Sequence, residues 1–123
     1  HGTPWLPVPP EHRALAVSRQ NADPHSVLNG FRTFMHWRQA QPALRWGDIE
    51  FLDTPEPVLA FTRRLAEQTV LVVFNLAEIA LTVELPDELA CLQPLDGHGL
   101  KQGCLDGVRL QLPGHGAWFA SAR

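Results

Sequence analysis

Apolar positions recur along this chain with two different periods, and the change from one to the other falls near Gly47. Between Pro24 and Gln41, the residues Val27, Leu28, Phe31, Phe34, Met35 and Arg38 follow the i, i+3, i+4, i+7 spacing of one helix face. Asn29, Arg32, Thr33, His36 and Gln39 fall mostly on the other side. This pattern predicts one strong helix from about Pro24 to Gln41. Asp23 can cap its free N–H groups, and Pro24 suits the first helical position, where a missing donor costs nothing. Pro42 disfavours helical geometry at Gln41, and Gly47 supplies the break. The stripe is wide, with two phenylalanines and Trp37 at its edge, so it needs a large apolar surface to pack on. The strands downstream could cover part of it; a surface outside these residues is the other candidate.

From Asp48 onward the period is that of short strands, six or seven of them. Ile49–Leu52 and Val58–Arg63 flank a Pro55-Glu56-Pro57 turn, which suggests a hairpin. Gln68–Asn75 has a continuous apolar middle, as expected of a central strand covered on both faces. Ile79, Leu81, Val83 and Leu85 alternate with Ala80, Thr82 and Glu84, giving one buried and one wet face. Val108, Leu110 and Leu112 alternate with Arg109 and Gln111 in the same way. Pro113-Gly114-His115-Gly116 turns the chain into a last strand, Ala117–Ala120. The expected fold is an all-β antiparallel sandwich of Greek-key type, preceded by a loop and the helix. The expected division is residues 1–47 and 48–123.

Residues 1 to about 23 read as loop. Four prolines in Pro4–Pro10 remove donors and fix φ, although Arg13–Val17 could form either a helical turn or an extended piece. The first residue is His1 rather than Met, and a proline-crowded opening suggests the seam between two domains of a larger protein. A net charge of -3, with no basic cluster beyond Arg63-Arg64, argues against a nucleic-acid surface. No apolar run approaches the about 20 residues of a membrane span. Cys91 and Cys104 read as reduced thiols of a cytoplasmic protein, with a disulfide across their 13-residue separation left open.

Candidate chemistry is sparse. Glu84, Asp87 and Glu88 are the densest acidic group, but they flank Pro86 at a strand end and read as a solvated turn, as do Asp53 and Glu56. The six histidines (1, 12, 25, 36, 98 and 115) show no helical zinc-protease spacing. His98, Cys104, Cys91 and His115 fit no common zinc pattern, so no metal is expected. Ser18, Ser26 and Ser121 lack a nucleophile-elbow context. Gly97, Gly99, Gly103 and Gly107 stud a stretch that reads as a mobile loop, not a phosphate cradle. Trp37 and Trp46 bracket the helix end and are expected to cement it to the sandwich. Trp118, alternating with Ala117 and Phe119, is a candidate exposed platform on which a pyranose could stack.

Two segments carry a family resemblance: Thr3-Pro4-Trp5-Leu6-Pro7-Val8, and the block from Asp23-Pro24-His25-Ser26-Val27-Leu28-Asn29 to Pro42-Ala43-Leu44-Arg45-Trp46-Gly47-Asp48. Together they resemble the C-terminal portion of bacterial α-glucosidases of the α-amylase superfamily, glycoside hydrolase family 13. Val70–Asn75 is similar to the central strand of that family's C-terminal domain, and Leu112–Phe119 to its closing hairpin. Over Leu89–Asp106 no motif carries the resemblance.

The resemblance implies that the chain is the final loop and last helix of a (β/α)8 barrel followed by a C-terminal β-domain. It implies a retaining mechanism, with an aspartate nucleophile and a glutamate acid/base about 5–5.5 Å apart. In the family those carboxylates precede this segment, as does the calcium of some relatives. No catalytic residue is therefore assigned here, no cofactor is expected, and the segment's own role would be structural. Its implied partners are the remainder of the barrel and, through the parent enzyme, an oligosaccharide. On this reading Trp5 either lines the parent's sugar cleft or packs on the loop prolines. Two alternatives stand beside it: a free-standing sandwich binding α-glucans, and an interaction domain whose helix docks an unrelated partner.

Overall fold

A computed structural model describes residues 2–122; His1 and Arg123, the outermost residues of the two expected domains, lie outside the described residues. After the extended proline segment comes a 3₁₀ helix at Pro10–Leu15, then three α-helices: α1 (Val17–Ala22), α2 (Val27–Gln39) and α3 (Pro42–Trp46). Two of these, α1 and the 3₁₀ helix, occupy sequence that reads as loop. Each is six residues long, too short to print an apolar stripe, and Leu15 and Val17 stay exposed.

The strong helix starts later than Pro24. Its cap is Ser26, whose Oγ accepts from the Asn29 N–H at 3.2 Å. Asp23 instead closes a local turn, accepting from the His25 N–H at 2.9 Å. The entry is stitched to α1 through Gln20: its carbonyl accepts from Ser26 Oγ (2.6 Å) and Asn29 Nδ2 (3.0 Å), and its Oε1 from the Leu28 N–H (3.1 Å). Two of these bonds, from the Leu28 and Asn29 N–H groups, satisfy orphan donors of the first turn. At the other end Gln41 is extended, as the residue before proline must be, and Pro42 then opens the short helix α3. Gly47 ends it in a crowded place. A Cβ there would lie 2.6 Å from the Ala43 carbonyl oxygen and 2.7 Å from that of Arg64.

Among the described residues there are eight strands, β1 (Asp48–Phe51), β2 (Val58–Leu65), β3 (Gln68–Asn75), β4 (Leu81–Glu84), β5 (Gln93–Pro94), β6 (Cys104–Asp106), β7 (Arg109–Leu112) and β8 (Ala117–Ser121), with a one-turn helix α4 at Asp87–Ala90. They form a five-stranded sheet in the order β1-β2-β3-β8-β5 and a three-stranded sheet in the order β4-β7-β6. All ladders between strands are antiparallel. The β1–β2 hairpin is the one expected from the Pro55-Glu56-Pro57 turn. The Pro113–Gly116 turn is not a hairpin: β7 pairs with β4 and β6, and β8 crosses to the other sheet to pair with β3 and β5. β5, β6 and α4 are too short to be read from periodicity.

The five-stranded sheet has two buried faces, and β3 shows why. Leu71 and Val73 point into the space between the sheets, with Trp118, Ala120, Val83, Leu85, Leu110 and Leu112. Val70 and Val72 point the other way and pack with Ala43, Leu44, Ala117 and Phe119 beneath the helices. The alternation expected of Ile79–Leu85 holds from Leu81 but fails at Ile79, which precedes β4 and is exposed. Among the described residues no helix is long and apolar enough to cross a membrane.

Candidate functional site

The most elaborate side-chain cluster lies where α2 meets the five-stranded sheet. Phe34 and Trp37, one turn apart on α2, sit against Phe119 of β8 at ring-centroid distances of 6.1 and 4.7 Å. His98 fills the remaining corner, edge-on to Trp37 at 5.4 Å and 4.8 Å from Phe119. Trp37 Nε1–H donates to the Asp96 carbonyl at 2.8 Å, so the helix is also tied to the glycine-studded segment.

His98 is fully buried, and both ring nitrogens are engaged. Nδ1 accepts from the Leu100 N–H at 3.0 Å, so Nε2 carries the proton and donates to Gln102 Oε1. Gln102 Nε2 in turn donates to Asp96 Oδ1 at 3.4 Å. Both ring nitrogens are thus taken up by partners within the fold. Its work is to hold the loop on the helix. The flanking Gly97 and Gly99 have φ of +87° and +75°, which lets the chain fold back around the ring. The segment expected to be mobile is thus pinned: Leu95 N–H and Gly103 N–H also bond to the Phe119 and Ala117 carbonyls at 2.8 Å each.

The tryptophans are sorted differently from expectation. Trp118 is buried in the inter-sheet core at 1% exposure, so it is no sugar platform. Five successive buried residues run through β8, because both faces of that strand are covered and alternation carries no information about solvent there. Trp37 does cement the helix to the sheet. Trp46 does not: it is 69% exposed, with the Arg45 guanidinium 5.1 Å above its ring. Trp5 is 91% exposed and not packed on the loop prolines.

The acidic groups are dispersed. Glu84 is exposed on β4, 3.7 Å from the Arg109 guanidinium of the neighbouring strand. Asp87 and Glu88 occupy the first turn of α4 rather than a plain turn, where carboxylates face the positive end of the helix dipole. Asp53 and Glu56 are exposed around the β1–β2 turn, whose Thr54 hydroxyl donates to the Val58 carbonyl at 2.9 Å. Cys91 and Cys104 are free and exposed. Among the described residues, no three His, Cys, Asp or Glu side chains gather around a common point. The signal that marks the real cluster was a histidine set between two glycines, Gly97-His98-Gly99, which spacing rules for metals and nucleophiles do not capture.

Comparison with known proteins places this architecture. The family described as Maltogenic Amylase, C-terminal domain matches residues 49–118, from β1 into β8. A probable alpha-glucosidase of Rhizobium meliloti (strain 1021) is 43% identical over 118 residues, covering 96% of this chain and 21% of the relative. Among solved structures, the alpha-glucosyl transfer enzyme XgtA superposes with a TM-score of 0.91 at 46% identity, covering 99% of this chain and 22% of that one. An isomaltulose synthase mutant from Erwinia rhapontici NX5 superposes at 0.73 with 26% identity, covering 98% of this chain and 22% of that one. The chain thus spans about a fifth of the length of the relatives it matches. It belongs to the maltogenic-amylase C-terminal domain family, the β-sandwich that forms the C-terminal portion of α-amylase-superfamily (glycoside hydrolase family 13) α-glucosidases and their glucosyl-transferring relatives.

Proposed function

We propose that the chain is the C-terminal segment of a cytoplasmic, retaining, exo-acting α-glucosidase that hydrolyses or transfers terminal α-linked glucose, and that the segment itself is structural. Residues 1–47 supply the last loop and helix of the catalytic barrel, and residues 48–123 the sandwich that covers it. The observation that carries this reading is the division of α2. Phe34 and Trp37 are sunk into the sheet, while Val27 and Phe31 on the same helix remain 84% and 61% exposed. A helix with a second apolar flank in water is half-partnered, and the remainder of a barrel is the partner such a flank fits. Trp5, Leu6 and Val8 extend the same need along the proline segment. The catalytic carboxylates and the oligosaccharide belong to that remainder. Two exposed free thiols support a reducing compartment.

The α-glucan module loses its candidate platform with the burial of Trp118. The test is the intact mass of the natural protein carrying this sequence, followed by a glucose-release assay on maltose- and isomaltose-type substrates. A mass several times 13.7 kDa with release of glucose is expected. A mass near 13.7 kDa refutes the reading.

A further inference from the structure

The two sheets are unequal, five strands facing three. On the side of β1 and β2 the smaller sheet ends at β4, and a cleft of about 260 Å³ opens there between the sheets. Leu52, just past β1, lines it with Ala60 of β2 and Val73 of β3; Val83, Leu85 and Pro86 close the other side. All but Pro86 belong to the inter-sheet core or pack against it, so the cleft lies on the face of the large sheet opposite α2. The walls are held by the fold itself. The Leu52 N–H donates to the Ala60 carbonyl at 3.0 Å, and the Thr54 hydroxyl at the rim to the Val58 carbonyl at 2.9 Å. A preformed, mainly apolar cleft with a few polar groups at its mouth is what a small-molecule site requires.

The polar groups select charge. β4 is an edge strand. The Leu85 N–H donates to the Val108 carbonyl at 2.8 Å, and Val83 opposes Leu110 two residues earlier in the same ladder. Alternate residues of such a ladder bond across it, so Glu84 turns its own N–H and C=O to the free edge. Glu84 and Asp53 both line the cleft, and Asp87 and Glu88 follow Pro86 in the first turn of α4. On the other side of the balance, the Arg109 guanidinium lies 3.7 Å from Glu84, and Arg64, on the same face of β2 as Ala60, lies 3.8 Å from Glu50. Among the described residues no cation pairs with Asp53. The mouth is therefore net negative, which attracts a cation and repels an anion. A dry cavity of roughly 150 Å³ holds benzene, and by that measure this cleft takes a body of about ten heavy atoms.

We propose that this inter-sheet cleft binds a small organic cation, an ammonium group carried on an aromatic or branched alkyl body. The body fills the space between Ala60, Val73, Val83 and Leu85, and the ammonium stays at the mouth, where Asp53 supplies charge and the Glu84 carbonyl accepts a hydrogen bond. Every wall belongs to this chain, so the site does not depend on the parent-enzyme reading.

The experiment titrates the natural full-length protein with phenethylamine, phenethyl alcohol and phenylacetate, three probes of one shape and different charge. Saturation-transfer NMR reads ligand contact, and thermal unfolding reads the stabilisation that binding to the folded state confers. Phenethylamine is expected to bind saturably and raise Tm, the alcohol to bind about two- to fivefold more weakly, and phenylacetate not to bind. Ala60→Leu puts a larger side chain into the cleft and is expected to abolish amine binding. Leu52→Trp does the same from the rim and stands in if Ala60→Leu does not fold. Asp53→Asn, at an exposed position, is expected to reduce the advantage of the amine over the alcohol. The proposal is overturned if phenethylamine does not bind, or if phenylacetate binds as tightly. It is overturned too if amine binding survives in a folded plug variant, which would put that binding elsewhere in the protein, or if Asp53→Asn leaves the amine's advantage unchanged.

Discussion

Replacing Phe119 with alanine probes the contact on which the position of α2 depends. The side chain is 1% exposed, and its ring is bounded by Phe34, Trp37, Phe74 and His98 at 6.1, 4.7, 5.7 and 4.8 Å. Truncating a buried phenylalanine costs about 3–5 kcal/mol, less where the surroundings can collapse into the hole. Here two of the four walls are held. Trp37 is anchored through Nε1 to the Asp96 carbonyl, and His98 has both nitrogens bonded. The cost should therefore lie in the upper half of that range, about 4–5 kcal/mol. For a domain of this size each kcal/mol moves Tm by about 3–6 °C, so the loss is roughly 12–30 °C. Urea and thermal unfolding of the chain, followed by circular dichroism, would measure it, with the urea m-value unchanged. The control is Phe31→Ala on the exposed flank of the same helix, which should change stability by no more than about 0.5 kcal/mol. The reasoning is refuted if Phe119→Ala costs under about 1 kcal/mol, or if Phe31→Ala costs as much as Phe119→Ala. Either result would mean that α2 is not seated on the sheet through Phe34 and Trp37.

Thr62 is buried between the sheets at 1% exposure with no partner for its hydroxyl among the described residues. Thr62→Val keeps the shape and removes the unmade bond, so a gain of about 1 kcal/mol in thermal unfolding is expected, and a loss would show a missing partner. Gly47→Ala pushes a methyl against two backbone carbonyls and should cost at least about 1 kcal/mol in chemical denaturation; a neutral result would mean that the α3–β1 junction shifts freely. Ser26→Ala removes both the α2 cap and the bond to the Gln20 carbonyl, with an expected cost of about 1–2 kcal/mol in the same assay, and a cost below about 0.3 would transfer the cap to another group. Cys91 and Cys104 should both react with a thiol reagent in the native state, two per chain, without an unfolding phase; protection of either would contradict the exposed placement.

Much of the fold was legible residue by residue. The Gln68–Asn75 strand is copied from the sequence without a change of boundary, because a run this short and this rich in β-branched residues favours a strand covered on both sides. The α2 stripe was legible for the same reason of period. Its start was not, since three residues near it, Asp23, Pro24 and Ser26, all suit a helix beginning. The choice went to the one whose hydroxyl also finds the Gln20 carbonyl, a contact created by a preceding helix that has no periodic signal of its own.

The sequence by itself determined the class of structure: a helix with too much apolar surface, then antiparallel strands, in a chain whose motifs at residues 3–8 and 23–48 mark its family. Local chemistry suffices for that, because period, caps and turns act within a few residues. Tertiary structure alone decided what each aromatic does. Trp118 is core and Trp46 is surface, because burial depends on whether a second layer arrives over that face. It likewise decided that His98, a residue 61 positions beyond Trp37, closes the helix onto the sheet. Contacts of that span are set by the crossing of strands between two sheets, and no window along the chain contains them.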